Sequence, residues 1–181
     1  RKNLGVYILP PFSTGYTSVY RGSLEAMENA LSFLNANKAK SVIMCDTTVI
    51  CNINFEDVIA DHKKSGAHVT VIAAKPAEGE QFTSSDFFVK AEDKKAVDLS
   101  IGKLIDSSWL AGMGMFVIER KKLINIIEDY VARGKYSFEK DFLQGQFIEG
   151  KLNINVYEFE KTMLRNHSVK SYFDNNFKLM D

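Results

Sequence analysis

The residues of this chain best placed to do chemistry stand where a strand gives way to a loop, or a loop to a helix. Asp46 follows the apolar run Ser41-Val42-Ile43-Met44-Cys45. A carboxylate there is a candidate ligand for a divalent ion on a phosphate, because hard cations take oxygen donors. Asp is also a common turn former after a strand, so the plain structural reading stays open. Arg21-Gly22-Ser23 stands at a helix start, where backbone N–H groups and a guanidinium suit an anion. The same triplet reads equally as a capped helix with a solvated arginine. Gly112-Met113-Gly114 enters a strand and either lets a backbone approach a ligand or only relieves crowding. Arg21, Gly22, Ser23, Asp46, Gly112 and Met113 are the candidate binding residues.

Other motifs carry less. His62, His68 and His167 lack metal-ligand spacing, and His62, followed by Lys63 and Lys64, reads as part of a solvated face. Cys45 reads as strand packing. Phe87-Phe88 and the Phe12–Tyr16 aromatics read as core or interface. No G-x-S-x-G or P-loop occurs, and Gly112-Met113-Gly114 lacks the third glycine and the following helix of a dinucleotide fingerprint.

These residues need a scaffold, and the pattern supplies strands alternating with helices. Residues 5–10 read as a buried strand, 11–21 as a loop, and 23–34 as a helix with Leu24, Met27, Ala30, Leu31 and Leu34 on one face. A strand at 41–45 completes a strand–helix–strand crossover, which favours a parallel pair. Asn54 caps a helix over 55–65, closed by Gly66. Residues 68–74 form a strand, 76–85 a polar loop, and 87–90 with 96–99 a hairpin about the charged turn at 92–95. A strand at 113–118 leads into a helix over 120–133. Ser137 caps a helix to 148, 153–159 is a strand, and Ser168 caps a last helix to 181. The expectation is a three-layer α/β fold on a mixed, mostly parallel, Rossmann-like sheet, with ligands at the carboxyl ends of the strands.

Composition limits the rest. A chain of 181 residues that is 45% hydrophobic and 25% charged has the mix of one globular domain. Lys plus Arg and Asp plus Glu both number 23, so no basic block points to nucleic acid or an anionic membrane. No apolar run reaches the ~18 residues of a membrane span. Two cysteines are too few for a disulfide scaffold. A reduced, cytoplasmic setting is expected. The start at Arg1 and the stop inside a helical pattern read as a piece cut from a longer protein.

Seven segments in order resemble the glucose-1-phosphate adenylyltransferases (ADP-glucose pyrophosphorylases). Residues 20–26, YRGSLEA, resemble that family's Y-R-G-T-A-D-A, and 42–50, VIMCDTTVI, stand where it has a strand followed by S-G-D-H-I-Y. Asn52-Ile53-Asn54-Phe55 and residues 62–70, HKKSGAHVT, match its M-D-Y helix start and H-x-x-x-G-A-x-x-T. Residues 112–117, GMGMFV, resemble S-M-G-I-Y-V-F; 136–142, YSFEKDF, resemble F-G-K-D-I-I; and 171–180, SYFDNNFKLM, resemble S-Y-x-E-A-N-M-D-L-L. The resemblance implies a nucleotide-diphospho-sugar transferase-like fold. It makes residues 1–181 a partial nucleotidyltransferase domain, lacking the glycine-rich N-terminal half and a C-terminal left-handed β-helix. It implies Mg²⁺ chemistry joining ATP and glucose 1-phosphate to give ADP-glucose and pyrophosphate, in glycogen synthesis. Arg21, Gly22 and Ser23 would edge the nucleotide site, and Gly112 and Met113 the sugar site.

The departures from that family matter as much. Counting back from Phe55, its metal-binding Asp falls on Thr48. Its second metal carboxylate, in W-x-D-V-G-T, falls near Arg165-Asn166-His167-Ser168. Its sugar-contacting E-K-P has no clear counterpart between Phe88 and Leu104. Phosphoryl transfer depends on charge neutralisation by metal, so losing both ligands should cost most of the rate. The pattern resembles the regulatory-type subunit that some bacteria pair with a catalytic one, modulating it through differential binding. Such a chain is expected to hold no Mg²⁺ itself, to join a catalytic subunit in a hetero-oligomer, and to retain at most a sugar-nucleotide or sugar-phosphate pocket. The alternative is an active sugar-phosphate nucleotidyltransferase in which Asp46, two residues early, takes the metal. An α/β binding module unrelated to sugar nucleotides is the third reading.

Overall fold

The computed structural model describes residues 5–9 and 20–180. Most of the 11–21 loop, Pro10, the Phe12–Tyr16 aromatics and Asp181 lie outside the described residues. Residues 5–9 form no strand: Val6 and Ile8 are almost fully exposed, and Tyr7 packs on the Phe33 ring. An apolar run becomes a strand only when another strand takes up its N–H and C=O groups, and none of the described strands does so here. The expected parallel crossover into the next strand is therefore not formed.

The remaining elements are α1 (Ser23–Glu28), α2 (Leu31–Ala36), β1 (Ser41–Cys45), β2 (Val49–Cys51), α3 (Phe55–Ser65), β3 (Val69–Ala74), β4 (Phe87–Glu92), β5 (Lys95–Ile101), β6 (Leu110–Glu119), α4 (Arg120–Ala132), a π-helical turn (Phe138–Gln144) running into α5 (Gly145–Ile148), β7 (Ile154–Glu158), β8 (Met163–Arg165) and α6 (Val169–Lys178). The expected 23–34 helix is thus two helices, broken where Ala30 N–H donates to Met27 O in a tight turn. α3 matches its expected span, with Asn54 accepting from Glu56 N–H and Gly66 left-handed at φ 63°. At the hairpin tip, Asp93 and Lys94 both have positive φ, as a two-residue primed turn requires.

The sheet order is β1-β6-β3-β7-β5-β4, and β4 returns to pair with β6, closing β6, β3, β7, β5 and β4 into a five-stranded barrel. Among the described residues only β3 and β7 pair in parallel; β6 runs antiparallel to β1, β3 and β4. The mostly parallel, Rossmann-like sheet is corrected accordingly. Its physical cause is β6, which enters antiparallel between β1 and β3 and separates strands that share one direction. Two of three apolar clusters cover the two faces of β3. Val69, Val71 and Ala73 pack under α1, α2, α4 and the π-turn. Ile72 and Ala74 pack with Val58 of α3 and with Val49 and Met163 of the β2–β8 ribbon. β3 is buried on both faces along its whole length, and Thr70 is its one polar residue. Among the described residues no helix is long and apolar enough to cross a membrane.

Candidate functional site

β1, β3 and β7 point the same way, so their carboxyl ends share one edge of the sheet with the start of β6. Asp46 stands there exposed, its N–H on Gly114 O at 2.9 Å and its Oδ1 accepting from Thr48 N–H. Gly114, at φ 65°, belongs to the bulge where β3 shifts register against β6. A Cβ on Gly114 would come within 2.7 Å of Asp46 Cβ, so this glycine is what lets Asp46 close over β6. Glu139 faces the same corner. Burial pushes its carboxyl up, and the Asp46 charge adds to that.

Arg21, Gly22 and Ser23 are engaged with the chain itself. The Arg21 guanidinium bonds Glu25 at 2.6 Å and lies 3.8 Å over the Tyr136 ring. A Cβ on Gly22 would strike Tyr136 O at 2.3 Å. Ser23 Oγ accepts from Phe138 N–H. This triplet docks α1 onto the 136–138 segment. Gly112 packs on Phe87, and its carbonyl accepts from Arg165 Nη1 at 3.0 Å. Met113 is fully buried and offers a ligand no side-chain surface. His62 is also buried, with Nδ1 sharing a hydrogen bond with Thr70 Oγ1; this corrects the solvated reading. Desolvation raises the Cys45 thiol, which makes it a poor nucleophile.

The β2–β8 ribbon joins two positions that are far apart in sequence. Val49 pairs with Arg165, and Asn166 N–H donates to Thr48 O at 2.8 Å. The Arg165 side chain is 6% exposed. Its Nε lies 3.0 Å from Glu80 Oε1, and its Nη1 lies 3.8 Å from Asp86 Oδ1. The Nε–H is poorly aimed at Glu80. Nε, Nη2, Glu80 Oε1 and His167 Nε2 all lack a well-formed hydrogen bond among the described residues. Beside this cluster, a cavity of about 980 Å³ opens between residues 74–83 and 158–178, lined by Lys75, Glu80, Glu158, Arg165, His167 and Lys170 among others. None of the six candidate residues lines it. Glu80, Asp86 and Glu139 escaped the sequence reading, the first two because acids in a polar loop carry no spacing signal.

Fold and edge together define a mixed α/β domain with a polar rim at the ends of its co-directional strands. Along its whole length the chain is similar to curated glucose-1-phosphate adenylyltransferases. That of Thermotoga neapolitana is 26% identical over 183 residues, covering 99% of this chain and 43% of that protein. That of Thermomicrobium roseum is 25% identical over 183 residues, 99% and 42%, and that of Halalkalibacterium halodurans 25% over 184 residues, 100% and 48%. No protein-family model matches. The chain spans less than half the length of these similar proteins.

The resemblance implies Mg²⁺ held by two carboxylates, and the donor set can be tested directly. Thr48 and Arg165, the positions that the resemblance points to, are backbone neighbours across the ribbon: Arg165 pairs with Val49, and Asn166 N–H reaches Thr48 O. They present a hydroxyl and a guanidinium. Mg²⁺ requires anionic or neutral oxygen ligands at close range, and a buried guanidinium repels it. The Thr48 hydroxyl is an oxygen donor, but the Arg165 position does not fit the ion.

Proposed function

We propose that this chain is the nucleotidyltransferase-like part of a regulatory, catalytically weak or inactive subunit of glucose-1-phosphate adenylyltransferase. The parent reaction joins ATP and glucose 1-phosphate into ADP-glucose and pyrophosphate, in glycogen synthesis. One observation carries this reading: the shielded Arg165 side chain stands where the resemblance asks for the second metal carboxylate, and Thr48, across the ribbon, stands where it asks for the first. Without a cation at the transferring phosphoryl group, the charge that builds in the transition state is left uncompensated. Such a chain acts by binding a catalytic partner, and its ligands shift that partner's activity only through a difference in affinity between states.

The test is ADP-glucose synthesis by the purified protein alone and mixed with a catalytic subunit. The expected result is no synthesis alone and a changed rate or effector response in the mixture. Robust synthesis alone would sink the reading. A second reading, an active enzyme using Asp46, has the support of the exposed Asp46 carboxylate facing Glu139 at the strand ends. It requires Asp46→Asn to abolish activity measured without a partner.

A further inference from the structure

Three oxygens from distant parts of the chain surround the Arg165 guanidinium: Glu80 Oε1 and Asp86 Oδ1 from the loop between β3 and β4, and Gly112 O from β6. The Phe82 ring, from the same loop, lies 5.8 Å from the guanidinium carbon. The Arg165 backbone is fixed as well, because Asn175 Nδ2 of α6 donates to its carbonyl at 3.0 Å. The Glu80 side chain is only 10% exposed and that of Asp86 16%. Two such carboxylates and a carbonyl in a shielded place require a positive charge among them. Oxygens of this kind are also the ligands that a hard divalent cation takes.

We propose that Arg165 is a resident cation: it fills a site of Glu80, Asp86 and Gly112 oxygens that would otherwise need a divalent ion, and so clamps the β3–β4 loop against β8 and α6 without metal. Glu80, Arg165 and His167 all line the large cavity, so the clamp sets one wall of it. The inference starts from the same arginine as the functional reading, but it concerns loop closure and stability. A chain active in synthesis and a chain silent in synthesis can each pass or fail the test below.

The test is a thermal melt of the purified protein. The wild type is expected to keep its midpoint, within about 1 °C, in EDTA or in millimolar Mg²⁺, Mn²⁺ or Ca²⁺; a midpoint that falls in EDTA overturns the proposal. Arg165→Met is expected to lower the midpoint by about 10 °C, and Mn²⁺ or Ca²⁺ to restore at least half of that loss. A variant as stable as the wild type, or one that no divalent cation restores, also overturns it. If Arg165→Met fails to fold, the triple variant Glu80→Gln, Asp86→Asn, Arg165→Met decides. It is expected to fold and to ignore cations, since the charges needing compensation are gone, and its failure to fold would show that the arginine acts by something other than its charge.

Discussion

Beneath α3, His62 shares a hydrogen bond with Thr70, and Asn155 donates both to Thr70 Oγ1 and to Asp61. Asp61 in turn receives Lys94 from the hairpin tip at 2.7 Å. Beyond β8, Arg165, Glu80, Asp86 and His167 crowd together with several polar atoms poorly matched. The first cluster is a chain of well-made bonds that ends at a solvated lysine. The second concentrates charge in a shielded place and leaves donors idle. A matched network serves register and docking, since each member is satisfied within the fold. The mismatched one sits on a cavity at the carboxyl ends of β3 and β7.

Variants can break or sharpen this contrast. The largest effect is expected at the mismatched cluster: Arg165→Met, described above, leaves two shielded carboxylates without their cation, a loss of ~3–5 kcal/mol. Thr70→Val keeps the shape but removes the hydroxyl that His62 and Asn155 share. Chemical denaturation should report a loss of ~1–3 kcal/mol, the cost of orphaning buried polar groups. Acid titration probes His62 itself. Burial, helped by the nearby Lys122 charge, holds its imidazole below the ordinary value, so folding favours the neutral ring. Its contribution is fully present above the unfolded value of about 6.5 and is lost as pH falls from there through the lowered folded value. Denaturation midpoints at pH 7.5 and 5.5 should differ, and His62→Gln should make that slope shallower. The smallest change is expected for Lys94→Ala. Its ion pair with Asp61 is mostly exposed on the lysine side, and its removal should cost at most ~0.5 kcal/mol.

Local signals made part of this fold legible. Asn54, the acids after it and Gly66 mark both ends of α3, and Ser168 with Ser171 makes the capping box that starts α6. Strand pairing was not legible, because which strand lies beside β1 is decided by contacts some seventy residues away. β2 and β8 are three residues each, too short for any alternation to show. Ser137 caps a helix as expected, yet the turn that follows is π-helical, a difference of hydrogen-bond register that side-chain periodicity does not encode. At the site, the resemblance led to Thr48 and Arg165, whereas Glu80 and Asp86 became visible only once the chain had folded over them.

The long strand β6 has a further consequence, for the order of events during synthesis. Ser41 pairs with Glu119 and Cys45 with Met115, and among the described residues β1 has no other partner in the sheet. At ~5–20 residues per second, β1 therefore leaves the ribosome ~4–15 s before the strand that shelters it. Through that interval its apolar run Val42-Ile43-Met44 stays unpaired, and chaperones that hold extended apolar segments would have their opportunity at this point of the chain's birth.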